Sequence, residues 1–261
     1  MTTAGTQTSS NSRWSQVPMH FAAQKMSVLV ILLLTLPAVA QFPDKFTNLQ
    51  VLPKDIPKAD LQSTMRGFAF ALDVRCPYCH VQRPGQGFDY AADDLDTKKT
   101  ARVMLQMVAT INRDYVGKIG KASPIQVECV TCHRGLTQPQ PLRALLIEAA
   151  DKQGVDAAIN MYRDLRKRYY GTGQYDFGET PLNQLAEFLL AKGRNKDAVT
   201  VMELNFASNS PQSVWAYHML AMSHQANGEI EKAKSDYRKV VELHPDDTWA
   251  KGQLESLSAP K

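Results

Sequence analysis

The chain has 261 residues, 44% of them hydrophobic, and a formal net charge of +4. That length suits one or two globular domains at roughly 100–200 residues each. A balance so near neutrality excludes the strong electrostatic pull toward nucleic acid or anionic lipid that a basic protein would show.

In chain order, the first feature is the apolar run Val28–Leu36, which follows Lys25 and ends in Ala38-Val39-Ala40. This is the small-x-small pattern that signal peptidase reads. Residues 1–40 are therefore expected to be a signal peptide, with cleavage before Gln41 and export to the periplasm. An anchor helix would need about 20 apolar residues, whereas Val28–Ala40 supplies 13, Thr35 and Pro37 among them. The polar stretch before it is long for a leader, so Met19 and Met26 are alternative starts. Export places the chain in an oxidising compartment, peripheral to a membrane at most.

The next segment, "PKADLQSTMRGFAFALDV", predicts a helix capped by Asp60 and running to about Leu72, with Met65 on it. Cys76, Cys79 and His80 follow. Residues 82–96 are rich in Gly, Pro and Asp and predict a loop. A second helix is predicted over "DLDTKKTARVMLQMVATINRDY", where Met104, Met107, Val108 and Ile111 make one stripe at i, i+3, i+4 and i+7. Cys129, Cys132 and His133 come next. Four cysteines exist, and every one lies in a Cys-x-x-Cys-His unit.

That arithmetic selects a chemistry. On about one helical turn, a Cys-x-x-Cys-His unit offers two thiols to haem vinyl groups and an imidazole to the iron. Paired zinc-binding Cys-x-x-Cys units usually sit 15–20 residues apart, whereas Cys79 and Cys129 have 49 residues between them. Zinc and disulfides both leave the two histidines without a role. Two covalently attached haem c groups are the expected cofactors, held by Cys76, Cys79, Cys129 and Cys132, with His80 and His133 on the irons.

Each iron then needs a sixth ligand. His20 lies in the expected leader, and His218, His224 and His244 lie far downstream, where they read as surface residues of a helical array. Methionine is the better donor, and a thioether ligand raises the potential. Met65 precedes the first unit; Met104 and Met107 precede the second, and spacing does not choose between them. Arg75, Arg83, Arg102 and Arg134 are candidates to pair with haem propionates, since arginine offers carboxylates a bidentate fork.

The stretches "NLQVLPKDIPKADLQSTMRGF", "CPYCHV", "KKTARVMLQMVATIN" and "VECVTCHRGLTQPQP", about Asn48 to Pro141, resemble the cytochrome c subunit of photosynthetic reaction centres. The resemblance implies a methionine-bearing helix before each haem unit, with Met65 serving the first haem and Met104, rather than Met107, the second. It also implies a redox partner, either a membrane electron-transfer complex or a reaction centre. This sequence departs from the family in having two units rather than four. It has no histidine between Asn112 and Glu128, a longer loop "VGKIGKASPIQ" and no lipid-anchor cysteine.

After the proline-bearing linker "RGLTQPQPLR", the chain reads as helical hairpins. Tyr217, Leu220, Gly228, Ala233, Tyr237, Leu243 and Pro245 resemble a tetratricopeptide repeat. Leu182, Leu185, Gly193 and Ala198 mark an earlier copy, and "IEAADKQGVDAAINMYRDL" a half-copy turning at Gly154. About two and a half repeats are too few to stand alone, so the array is expected to lean on the haem region. The basic–aromatic run Arg166–Tyr170 reads as a solvated helix face rather than a nucleic-acid site.

The expected architecture is thus mainly α: a signal peptide (1–40), a small dihaem c-type cytochrome domain (41–141) and a tetratricopeptide-like hairpin array (142–261). The expected function is electron transfer without catalysis, the array docking a partner or subunit. The alternative is a dihaem peroxidase-like or reductase enzyme with one open haem site.

Overall fold

A computed structural model describes residues 42–119 and 125–259. The expected leader, with Met19, His20 and Met26, lies outside the described residues. Among the described residues the chain is mainly helical, with one two-stranded sheet.

Helix α1 spans Lys58–Leu72. Leu61, Met65, Phe68 and Leu72 fall on one stripe at helical spacing. Leu61 is buried, and the other three are half-buried. The helix starts two residues before Asp60, behind Pro57, so Asp60 lies in the first turn instead of capping it. It ends at Asp73, in the left-handed region at φ 51°, which aspartate tolerates better than most residues. A tight turn over Cys76–Tyr78 follows.

The segment expected to be pure loop contains a small hairpin. Strand β1 (Val81–Arg83) pairs antiparallel with β2 (Gly87–Asp89), Val81 opposite Asp89 and Arg83 opposite Gly87. Strands of three residues are too short to show an alternation in sequence. Helix α2 (Asp96–Thr110) runs on through a π turn at Ile111–Tyr115 and a 3-10 turn at Val116–Lys118. Helix α3 is the short Cys129–His133. It packs against α1, and the Gly135 N–H donates to the Ala71 carbonyl at 2.9 Å.

From Leu142 the helices stack as hairpins: α4 (Leu142–Gln153) on α5 (Val155–Tyr169), α6 (Thr180–Ala191) on α7 (Asn195–Asn209), and α8 (Val214–Ala226) on α9 (Ile230–Leu243). A last helix, α10 (Thr248–Ser258), covers α9. The expected half-copy is therefore a complete hairpin, turning at Gly154. The array has a core of its own. Leu146, Tyr162, Leu182, Leu185, Leu189 and Met202 fill one cluster, and Tyr237, Val240 and Ala250 help fill a second.

Candidate functional site

The two Cys-x-x-Cys-His units fold differently. In the first, Pro77 favours a tight start, and the N–H groups of Cys79 and His80 both reach the Cys76 carbonyl, at 3.2 and 3.0 Å. In the second, Glu128 opens α3, its N–H donating to Thr131 Oγ1 at 3.0 Å. Arg134 closes α3 in the left-handed region at φ 47°. The four cysteines form no disulfide with one another, Cys76 and Cys132 being exposed and the other two half-buried. Burial pushes the Cys79 and Cys129 thiols up from their ordinary value. That is opposite to what a nucleophilic cysteine needs. Among the described residues, no three His, Cys, Asp or Glu side chains converge as a metal cage.

His80 and His133 are both half-buried. Burial, reinforced by the Lys98 charge, pushes the His80 imidazole down, toward the neutral form that binds metal. Its ring meets Tyr90 edge-on at 5.1 Å between centroids, and its Nδ1 is buried without a hydrogen-bond partner. The His133 Nδ1 lies 2.7 Å from the Leu136 carbonyl oxygen.

Helix α2 is tied to the first unit. Thr97 Oγ1 donates to the Tyr78 carbonyl. Lys98 Nζ donates to the carbonyls of Tyr90, Ala91 and Ala92 at 2.9, 3.1 and 2.6 Å. The far end of the same helical run reaches the second unit through Asn112, which takes the Val127 N–H and donates to the Val127 carbonyl, both at 2.8 Å. This side chain stands in for a strand partner and fixes the approach to Cys129. Sequence reading placed Asn112 in a family stretch without a role, because its partner lies beyond a long loop.

Of the four arginines considered for haem propionates, two are committed elsewhere. Arg102 grips Asp93 with both ends of its guanidinium, at 2.9 and 2.7 Å, and holds that carboxyl far below the usual range. Arg83 pairs with Asp94 at 2.7 Å and with Asp89 at 3.6 Å. Arg75 and Arg134 remain exposed beside the units. Met65 and Met104 are half-buried on α1 and α2, whereas Met107 is 42% exposed.

Before Leu142, the only buried apolar side chains among the described residues are Leu61 and Ala71. Phe70, Val103, Tyr115, Ile119 and Ile125 stand largely exposed. Such a segment cannot form an apolar core from its own side chains. Flat, apolar prosthetic groups stapled at both units would supply the missing surface, so the donor set and the packing fit haem.

In the array, two histidines expected at the surface are not there. His224 is buried and pairs with Asp236 at 2.7 Å, and His218 pairs with Asp247 at 2.7 Å. Arg166, expected on a solvated face, instead knits the hairpins together through the Phe177 and Ser208 carbonyls and Asn209.

Paired Cys-x-x-Cys-His turns on a helical scaffold, followed by stacked hairpins, are the features of a c-type cytochrome with a tetratricopeptide array. A family model described as "Photosynthetic reaction centre cytochrome C subunit" matches residues 34–228, and this chain belongs to that family. A tetratricopeptide repeat model matches residues 216–247. The reaction centre cytochrome c subunit of Roseobacter denitrificans is 34% identical over 101 residues, 38% of this chain and 26% of that protein. The subunit from Thermochromatium tepidum is 34% identical over 97 residues, 36% of this chain and 22% of that protein. Cytochrome c-554 of Chloroflexus aurantiacus is 30% identical over 96 residues, 36% of this chain and 22% of that protein. The chain thus spans a quarter or less of most of these relatives' length. Among solved structures, MamA of Desulfovibrio magneticus is 19% identical with a TM-score of 0.34, covering 62% of this chain and 84% of that one. Family membership implies covalently bound haem c. Among the described residues, no helix is long and apolar enough to cross a membrane.

Proposed function

We propose that this chain is an exported dihaem electron carrier that passes electrons between periplasmic or membrane-bound redox partners, a reaction centre being one such partner. The observation that carries the reading is the placement of all four cysteines in two Cys-x-x-Cys-His turns, each with its imidazole half-buried, within a segment that has almost no core of its own.

In this reading Cys76 and Cys79 hold one haem, Cys129 and Cys132 the other, and His80 and His133 ligate the irons. Bound haem supplies a one-electron couple whose potential the protein sets through axial ligands, burial and hydrogen bonds. Met65 and Met104 supply the sixth ligands. Their helices flank the units, and both are more sheltered than Met107. An iron held by both a histidine and a methionine would keep no open position for substrate, which favours carriage over peroxidase or reductase chemistry. The packing of α1 on α3 and the Gly135–Ala71 hydrogen bond keep both attachment segments in one packed body, which supports passage of electrons from one to the other. The hairpin array serves to dock a partner or sister subunit.

The test is intact mass and pyridine haemochrome analysis of the secreted protein. The reading requires the mass increment of two haems, and Cys76→Ala/Cys79→Ala should remove one increment. Recovery of a haem-free secreted protein that is folded and protease-resistant would refute it.

A further inference from the structure

We propose that Lys98 is a fixed internal cation that raises the reduction potential of the haem held at Cys76, Cys79 and His80. This rests on the dihaem reading and extends it to how the two sites are made unequal.

Lysine carries three N–H donors and no acceptor, and Lys98 spends all three on the consecutive carbonyls of Tyr90, Ala91 and Ala92. Its side chain is only 12% exposed. The ammonium is therefore held still and away from water, where screening by salt is weak. It is also close to the first unit. The residue whose carbonyl it binds, Tyr90, packs its ring against His80, and the neighbouring Thr97 bonds the Tyr78 carbonyl.

A counter-charge is present but insufficient. Asp93 lies 3.1 Å from Lys98, yet the same carboxylate is gripped by Arg102. Two cations share one carboxylate, so the cluster of Lys98, Arg102 and Asp93 is net positive. Nearby, Arg83 with Asp94 and Asp89 carries a net negative charge, but those carboxylates are more exposed, at 50% and 37%, and so are better screened than Lys98. Ferric haem carries one more positive charge than ferrous haem, so a fixed cation favours reduction. At the second unit no lysine or arginine side chain hydrogen-bonds to Val127–Leu136 among the described residues, Arg134 is exposed to solvent, and the acid Glu128 opens its helix.

The experiment is a spectroelectrochemical titration of the full holoprotein, after intact mass has shown both haems; failure at that mass step would condemn the dihaem reading and not this one. The wave lost in Cys76→Ala/Cys79→Ala identifies the first haem. Lys98→Met should lower that wave by about tenfold in the ferrous-to-ferric ratio at a given potential, or about 59 mV for one electron, and leave the other wave in place. Lys98→Arg should restore it. Asp93→Asn should shift the same wave upward. A merely structural clip predicts a different pattern, because loosening the loop admits water and lowers the potential in both Lys98→Met and Asp93→Asn. That pattern, or a first wave indifferent to Lys98→Met, overturns the proposal.

Discussion

His133 Nδ1 sits 2.7 Å from the carbonyl oxygen of Leu136, three residues further along the chain. An imidazole that donates from Nδ1 presents Nε2 to a metal, and the outer hydrogen bond raises its basicity. A more basic ligand favours ferric iron. His80 has no such partner on Nδ1. The second haem should therefore titrate at the lower potential, and the lower wave should disappear in Cys129→Ala/Cys132→Ala. Loss of the upper wave instead would show that this hydrogen bond does not rank the sites.

The methionine assignment is open to spectroscopy. Met65→Ala and Met104→Ala should each convert one ferric haem from low to high spin, and Met107→Ala should convert neither. Electron paramagnetic resonance of the holoproteins distinguishes these outcomes, and a high-spin signal from Met107→Ala alone would reassign the ligand of the second haem.

Asn112 makes two hydrogen bonds to one residue, Val127. Asn112→Ala leaves two half-buried backbone groups to find water, at about 0.5–1.5 kcal/mol each. A lower melting temperature is expected, with proteolysis beginning in the segment before Cys129. An unchanged melting temperature would mean that α3 is positioned by the α1 contact alone.

Two glycines make a matched pair. Gly135 adopts φ +84°, and a Cβ there would come within 3.0 Å of the Gln174 side-chain nitrogen. Gly67 lies in α1 with open space around it. Gly135→Ala should cost about 1–2 kcal/mol for the left-handed backbone, and Gly67→Ala should gain about 0.5–1 kcal/mol. Denaturant titration of both variants measures the difference in sign.

The hydroxyl of Tyr237, in the core of the last hairpin, donates to Gln225 at 2.6 Å. Burial, with Asp236 beside it, pushes its titration up to about 12. An exposed tyrosine titrates near 10, so above that pH the unfolded chain loses a proton that the folded chain keeps. Stability should then fall between about pH 10 and about pH 12, by about 1.4 kcal/mol per pH unit. Below pH 10 this group contributes no slope. Tyr237→Phe should start less stable by about 1 kcal/mol and lose that component of the alkaline slope. An identical slope in the two proteins would place the alkaline sensitivity elsewhere.

The covalent chemistry, the methionine-bearing helices and the repeat were all legible along the chain. Each is encoded by spacing: two residues between paired thiols, a stripe at i, i+3 and i+4, and turn glycines at Gly193 and Gly228 35 residues apart. Short-range geometry converts such intervals directly into shared helix faces. The β1–β2 hairpin escaped because its strands are shorter than one readable period.

What the tertiary structure alone decided is partnership between charged and polar groups. Arg83 and Arg102 stood equal to Arg75 and Arg134 as propionate ligands until the loop before α2 brought Asp93 and Asp94 against them. Nothing in the sequence singles out Lys98, one of two adjacent lysines, and only the fold closes three carbonyls on it. His224 read as a surface residue until α9 laid Asp236 beside it. A buried charge takes whichever partner the fold places within about 3 Å, and the paths of loops that set those distances carry no periodic signal in the sequence.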